Sequence, residues 1–426
     1  MVKGGYKKTS IGLIPKDWKF KAMSYAVEIN PRYNVPEKDE YLFLEMDSVN
    51  ENSPKIDGYE KREKNKCTSV KFKEGDVLFA RITPSTENGK TALIHTLDEE
   101  VAYGSTELIV FSPKKNLITS KFIYYLLKWK KIRNLAISMM EGSTGRQRVP
   151  NEIFKGSIRI PLPIIPEQKR ITSILSIIDN LIEKTNEIIN KTKKLKKGLI
   201  QQLLNKGIKH DEFREVNING KTKKFPKNWD IKMLKKVTDI NKNNISTSTP
   251  EDYKIEYIDI SSINNNGKIE ETTFYNYGNA PSRAKRLVNN DDVIVSTVRP
   301  YLKSFAIIKE DKENLICSTG FAVLTPKSNM NTEYIYYFVW SNHFVNYMKR
   351  LMRGTSYPAV SKNDIANTFI PVPSLEEQKK IASILSSVDS KIKKEEEYKA
   401  KLEKLKKGLM QKLLTGEIRV NTDMEV

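Results

Sequence analysis

The sequence has little sulfur and little imidazole: two cysteines, Cys67 and Cys317, and three histidines, His95, His210 and His343. Two thiols cannot build a disulfide framework, which points to a reducing compartment. The histidines show no metal-ligand spacing with one another or with the cysteines, so each is expected on the surface or in packing, and no metal site is expected. No apolar run approaches the roughly 18 residues of a membrane span. The start, MVKGGYKKTSIGLIP, has no apolar signal core. The expectation is a cytoplasmic protein with no membrane partner. Nucleophilic triad signatures are also missing. Acid is the last shortage: 52 Asp and Glu face 73 Lys and Arg, a formal net charge of +21 over 426 residues. Such an excess calls for a polyanion, and nucleic acid leads once the membrane is set aside.

What the sequence does have, it has twice. LKKGLIQQLL starts at Leu195 and LKKGLMQKLL at Leu405, 210 residues apart. Segments 166–204 and 376–414 agree at more than half their positions without a gap. IPLP (160–163) answers IPVP (370–373), and GLIPKDW (12–18) answers KKFPKNW (223–229). GDVLFARITP (75–84) answers DDVIVSTVRP (291–300), and GSTELIVF (104–111) answers CSTGFAVL (317–324). MEGSTGRQRVPNEI (140–153) answers MRGTSYPAVSKNDI (352–365). The order is unit, helix, unit, helix.

In the first helix, Ile171, Ile174, Leu175, Ile178, Leu181, Ile182, Ile188, Ile189, Leu195, Leu199 and Leu203 recur at spacings of three and four. In the second, Ile381, Ile384, Leu385, Val388, Ile392, Tyr398, Leu402, Leu405, Leu409 and Leu413 do the same. Each is one apolar stripe on an α-helix. About 39 residues make roughly 58 Å of helix. A stripe that long needs a partner stripe, and the other copy is the obvious one, so a coiled coil is expected. The lysines of KTKKLKK are read as its solvated face. Gly198 and Gly408, inside the pattern, mark a possible close crossing. The prolines of IPLP and IPVP should stop a strand or loop and lead into the helices. Within the units, KFKEGDVLFARI, NNDDVIVSTVRP, ELIVFSP and GFAVLTP read as turn-then-strand. Segments 119–140 and 331–352 each read as one amphipathic helix with an aromatic, core-facing side.

Arranged this way, the chain resembles the specificity subunit of a Type I restriction-modification system over nearly its whole length. The carriers are IPLPIIPEQKRITSIL and IPVPSLEEQKKIASIL, the LKKGL–QxLL ends, the IPKDW and FPKNW starts, and APSRAKR, DDVIVSTVRP, STGFAVL and GTSYPAVS in the second half. GRQRV (145–149) stands where the second half has SYPAV (356–360). The resemblance implies a mixed α/β (α+β) fold: two similar target-recognition domains separated by two long antiparallel helices that form a coiled coil, with a pseudo-twofold repeat. The expected boundaries are 1–158 and 208–368 for the domains, 159–207 and 369–418 for the spacer helices, and 419–426 for a tail. Each domain would read one half of a split site in double-stranded DNA. Methyltransferase subunits, two per chain, would dock on the surplus apolar face of the helices and carry the chemistry. A restriction-motor subunit would cleave. This chain would be non-catalytic and hold no cofactor.

Arginine reads guanine with two hydrogen bonds and amides read adenine. The candidate reading residues are therefore Arg81, Arg146, Gln147 and Arg148 in the first unit. In the second they are Arg283, Lys285, Arg286, Arg299, Tyr301 and Tyr357. The alternative is a fused methyltransferase–specificity enzyme. NPRY (30–33) resembles an amino-methyltransferase NPPY box, but Arg32 replaces its second proline and no glycine-rich cofactor loop lies upstream. ENGKT (87–91) ends like a phosphate loop, but Pro84 stands where the first glycine belongs. A chain of 426 residues holding two recognition units and two long helices leaves no room for a further catalytic domain.

Overall fold

The computed structural model describes residues 5–67, 69–143, 145–218, 220–264, 266–310 and 312–422. Most of the expected tail therefore lies outside the described residues. The chain forms two units: unit 1 is residues 1–187 with 396–426, and unit 2 is residues 188–395.

The strands form where β-branched and aromatic runs follow turn residues. In unit 1 one sheet has the order Glu60–Glu63, Glu40–Leu44, Ala102–Gly104, Val70–Phe72. Its middle pair is parallel and the other pairs are antiparallel. A second, antiparallel sheet has the order Val27–Ile29, Leu108–Pro113, Val77–Ala80, Thr91–Leu93. Unit 2 repeats both. Thr273–Asn276, Lys254–Ile258, Leu315–Ser318 and Ala284–Leu287 form one sheet, again with a parallel middle pair. Thr238–Ile240, Phe321–Pro326, Val293–Ser296 and Phe305–Ile307 form the other. Val77–Ala80 and Val293–Ser296 are wholly buried, as continuous apolar strands must be.

The aromatic segments differ from the sequence expectation. Each is two helices: Ser120–Lys128 and Lys130–Ile137, then Thr332–Trp340 and Asn342–Leu351. In unit 2 the break is chemical, because the Ser341 hydroxyl accepts from Phe344 N at 3.2 Å and caps the second helix. In unit 1 Trp129 takes the extended conformation with no side-chain cap. Tertiary burial sets that break, with Trp129 in the core and its Nε1 donating to Gln411 at 3.1 Å.

The proline-led stretches are themselves strands. Arg159–Leu162 pairs with Lys19–Ala22, and Phe369–Val372 with Asp230–Met233. Proline is tolerated because each sheet has two strands and thus only edges. The long helices start a few residues later, at Ile165–Lys206 and Leu375–Leu414, 42 and 40 residues.

Within each unit the long-helix segments run antiparallel. In unit 1, Lys406 pairs with Asp179 at 2.5 Å, and Arg419, just beyond the second helix, pairs with Glu167 at the start of the first at 2.7 Å. In unit 2, Lys196 pairs with Asp389 at 2.5 Å and His210 meets Glu377 at 2.8 Å. The expected stripe is only partly buried. Ile171, Leu175, Ile178, Ile189 and Leu203 are buried, as are Ile381, Leu385, Ile392, Leu402 and Leu413. Leu195 and Leu405 remain 55% and 50% exposed. Ile200 and Met410 are buried instead, together with Leu204 and Leu414.

Gly198 and Gly408 make no close crossing, since a Cβ at either would meet nothing within 4 Å. Gly198→Ala or Gly408→Ala should therefore stabilise by about 0.5–1 kcal/mol, read as a higher denaturation midpoint. A lower midpoint would mean that the helix bends there.

The motif residues join helices to units. Trp18 Nε1 donates to Glu167 and Trp229 Nε1 to Glu377, at 2.9 and 3.0 Å. The adjacent glutamines hold the aromatic helices. Gln168 Oε1 accepts from Thr119 N while its Nε2 donates to Leu117 and Pro163. Gln378 does the same with Asn331, Asn329 and Pro373.

Lys128 reaches into unit 1, donating to Gly89 O at 2.8 Å. Burial, then Lys406 and Arg133, lowers its pKa to about 7. The unfolded chain takes up this proton near pH 10, the folded chain only near 7. Stability should thus fall as pH drops from about 10 to 7 and stay at that lower level below. Lys128→Met should flatten this part of the profile of denaturation midpoint against pH. An unchanged profile would assign the dependence to other groups.

Candidate nucleic-acid interface

In unit 1, Arg81 ends the strand Val77–Ala80. Its N–H donates to Glu107 O and its carbonyl accepts from Val149 N, at 2.9 and 2.8 Å. Those bonds and the bridges Ile82↔Arg148 and Glu141↔Arg148 hold the 141–149 loop beside it. Gly142 and Gly145 take positive φ, +115 and +82, where side chains are disfavoured. Arg146 and Gln147 at the tip are exposed. Arg148 is engaged: its Nε and Nη2 make a two-pronged pair with Glu107 at 2.9 and 2.7 Å.

Arg81 also lines a 590 Å³ pocket with Arg32, Lys71, Tyr33 and Asn151. Its buried Nε and the buried Asn151 Oδ1 have no hydrogen-bond partner. A concave site with unpaired polar groups and no acid in its lining suits an anionic, hydrogen-bonding ligand. Sequence reasoning missed Arg32 and Lys71; in the sequence Arg32 reads only as a departure from the NPPY box. A larger cleft in unit 1, of 890 Å³, includes Glu74 in its lining and none of the candidate residues.

NPRY itself serves the fold. Asn30, at φ +49, donates its N–H to Val110 O while its Oδ1 accepts from Val110 N, both at 2.8 Å. Asn241 repeats this with Val323. Tyr33 donates to the buried Asp76 carboxylate at 3.0 Å. In ENGKT, Gly89 ends the short helix Ser85–Asn88 and Lys90 donates to Met46 O, so these residues close a turn. Among the described residues no group of three His, Cys, Asp or Glu could hold a metal ion.

In unit 2, Arg283, Lys285 and Arg286 lie along one edge of the first sheet. Arg283 is exposed and its carbonyl accepts from Thr319 N. Lys285 donates to Tyr277 OH at 2.8 Å. Burial lowers the Arg286 pKa, and its Nε has no partner. Arg299, in the left-handed region at φ +46, donates to Ser356 O and sits over the 74%-exposed Tyr357 ring at 5.2 Å. Tyr301 points elsewhere, under Lys349.

The equivalences follow from shared bonds. Thr297 takes the place of Arg81, because its N–H donates to Gly320 O and its carbonyl accepts from Val360 N. Ala359 takes the place of Arg148, through the bridges Val298↔Ala359 and Arg353↔Ala359. The Arg148–Glu107 pair thus becomes Ala359 and Gly320. The same scaffold presents different side chains in the two units.

With the fold and this surface in view, the comparisons are direct. The family profile described as Type I restriction modification DNA specificity domain matches residues 15–194 and again 226–404. The putative type I restriction enzyme MjaX specificity subunit of Methanocaldococcus jannaschii is 28% identical over 434 residues, covering 98% of this chain and 97% of that protein. The MjaVIII specificity subunit of the same organism is 30% identical over 324 residues, 74% of each chain. The Type I restriction-modification S subunit from M. genitalium shares the fold with a TM-score of 0.56 at 15% identity, over 97% of both chains. The profile matches twice, once in each half. The chain belongs to the Type I restriction-modification DNA specificity family. No helix among the described residues is long and apolar enough to cross a membrane.

Arg146→Ala should relax one half-site by about 1–3 kcal/mol of discrimination if Arg146 reads a base. Arg148→Ala should act mainly by freeing the loop that Arg148 and Glu107 hold. Competition binding against half-site variants separates the two. An equal loss on all sequences for Arg146→Ala would make it a phosphate contact.

Proposed function

We propose that this chain is the non-catalytic DNA-reading and assembly subunit of a Type I restriction-modification complex. Each unit reads one half of a split site in duplex DNA. Methyltransferase subunits carry the methyl transfer and a restriction-motor subunit the cleavage. The observation that carries the reading is the doubled scaffold. Two sheets of identical order recur in each unit, with different polar side chains at equivalent positions of the candidate surface. The +21 charge supplies the phosphate attraction. The domain boundaries proposed are those of the sequence, with the spacer helices starting at Ile165 and Leu375.

The methyltransferase docking face is the exposed part of the helical stripe. Ile177, Leu181, Tyr398 and Leu405 are exposed in unit 1, and Ile188, Leu195 and Ile384 in unit 2. Large apolar groups left in water at heptad-like spacing favour a partner surface. Two partner subunits per chain are expected by mass measurement of the reconstituted complex. A strict one-to-one complex at saturation would refute this stoichiometry. Selection of random DNA by that complex should return two short specified blocks separated by an unspecified gap. A single contiguous block would overturn the split-site reading.

A further inference from the structure

Unit 2 contains a second basic site, which of the candidate reading residues meets only Tyr301, whose ring lies under Lys349 at 5.8 Å. Its hairpin Phe213–Ile218 and Lys221–Pro226 has six residues per strand. The counterpart in unit 1, Tyr6–Thr9 and Gly12–Pro15, has four. The two extra rungs add Lys221 beyond Lys223, which sits on the last rung that both hairpins share, and both lysines line a cleft with the helix Asn342–Leu351 and the end of the long helix. This cleft of 760 Å³ is lined by Lys206, Lys221, Lys223, His343, Lys349 and Arg350, with Gln201 and three asparagines. No acidic side chain is among the lining residues. Lys224 at the rim is drawn to Glu215 at 3.5 Å.

The wall is built as well as charged. Burial, then Lys223, pushes the His343 imidazole down to about 4, so it is neutral at pH 7. It faces the Lys223 ammonium at 2.5 Å through Nδ1, which as the unprotonated nitrogen accepts. Burial lowers the Lys223 pKa, and Lys221 and Arg350 lower it further. Cations crowded into a cleft without a counter-charge gain from an anion. Lysine ammoniums and an arginine fork match phosphate oxygens, and the amides can donate beside them. Ile218 is the one aliphatic lining residue, and the Arg350 guanidinium lies over the ring of Tyr347, the one aromatic lining residue, at 5.5 Å, so the cleft presents charge over that ring.

We propose that this cleft is a phosphate-binding site that holds the sugar–phosphate backbone of DNA, as a sequence-independent contact made by unit 2 alone. Unit 1 is the internal control. Gly12 and Leu13 stand where the hairpin has Lys223 and Lys224, and Ile137 and Ser138 where the helix has Lys349 and Arg350. The proposal rests on the DNA-reading assignment above.

The test uses the full chain with Lys221→Gln, Lys349→Gln and Arg350→Gln combined, all exposed residues whose loss leaves the core intact. DNA affinity is measured against salt for specific and random duplexes. Each phosphate contact contributes about 0.9 to the slope of log K on log salt, so the triple variant should lose about 2–3 from it on both duplexes. A wild-type slope in a variant with an unchanged circular-dichroism spectrum would overturn the cleft assignment and leave the DNA reading standing. A wild-type chain that binds no DNA at low salt, alone or with a methyltransferase partner, would overturn both. Tight calorimetric binding of inorganic tripolyphosphate, abolished in a variant that keeps its DNA slope, would reassign the cleft to a free polyphosphate.

Discussion

Asp179→Ala should destabilise unit 1 by about 3–5 kcal/mol, the largest expected effect of a single substitution here. The Asp179 side chain is 10% exposed and that of its partner Lys406 16%. The same carboxylate accepts from Tyr125 OH at 2.8 Å. One group thus joins both long-helix segments and the aromatic helix. Removing it leaves an ammonium and a phenol buried without a partner, and the stranded charge is the costly part. The repeat provides a comparison. Asp389 pairs with Lys196 and accepts from Tyr337 OH. Lys196 is 18% exposed, close to Lys406, but it keeps the Tyr337 and Trp340 rings at 5.6 and 5.7 Å when Asp389 is lost, and the 35% exposure of Asp389 lets water in beside it. Asp389→Ala should cost about 1–2 kcal/mol. Asp179→Asn, which can still accept from Tyr125, should fall between. Urea denaturation of the full chain, followed by tryptophan fluorescence, gives all three values. Equal losses at 179 and 389 would show that burial does not set the cost.

That carboxylate also marks where the sequence stopped being legible. The repeat, the strand pattern and the two long helices were readable because each rests on local periodicity. The aspartates sit at equivalent places in SIIDN and SSVDS, 210 residues apart, beside the apolar stripe. A periodicity argument treats them as solvated, whereas the structure uses them as the polar centre of a three-element junction. The glutamates of PEQK and EEQK are a similar case: the motif was visible, but its bond to a tryptophan almost 150 positions away was not. The stripe itself was misjudged along one register: Leu181, Ile188 and Leu195, seven residues apart, and Tyr398 and Leu405 are exposed, because the apolar stripe is wider than the face each helix buries.

The candidate surface was less legible still. Arg148 looked like Arg146 in the string RQR. Only the fold brings Glu107 to one of them. Arg32 and Lys71 join Arg81 in one pocket through strands far apart in sequence, and no spacing rule could have gathered them. Loops carry such residues because the sheets beneath fix their positions while leaving the side chains open to change. The shared hydrogen bonds of Arg81 and Thr297 show this directly.

A fragment of residues 1–210 should form a homodimer, because the ends of the two long helices make interchangeable contacts. Unit 1 draws Met410, Leu413 and Leu414 into its core from the second long helix. It also takes Lys406 for Asp179 and Arg419 for Glu167. The fragment lacks all of these. Its own first helix carries Ile200, Leu203, Leu204 and Lys196, with His210 just beyond its end, and these make the equivalent contacts in unit 2. Gly207 matches Gly416, each with φ near +65 and packed where a Cβ would strike the neighbouring tryptophan region. In the fragment these groups have lost their unit 2 partners. Each copy can therefore offer residues 188–210 to the unit 1 of another, and the exchange closes with twofold symmetry. Leaving three such apolar side chains in water would cost about 2 kcal/mol each, so a monomer should not persist at micromolar concentration. Sedimentation equilibrium should give twice the fragment mass, and Leu203→Asp should abolish the pairing. With a methyltransferase partner present, DNA selected from a random pool should be an inverted repeat of a single half-site. A folded monomer, or a selected site without inverted symmetry, would show that the two helix ends are not interchangeable despite their matching contacts.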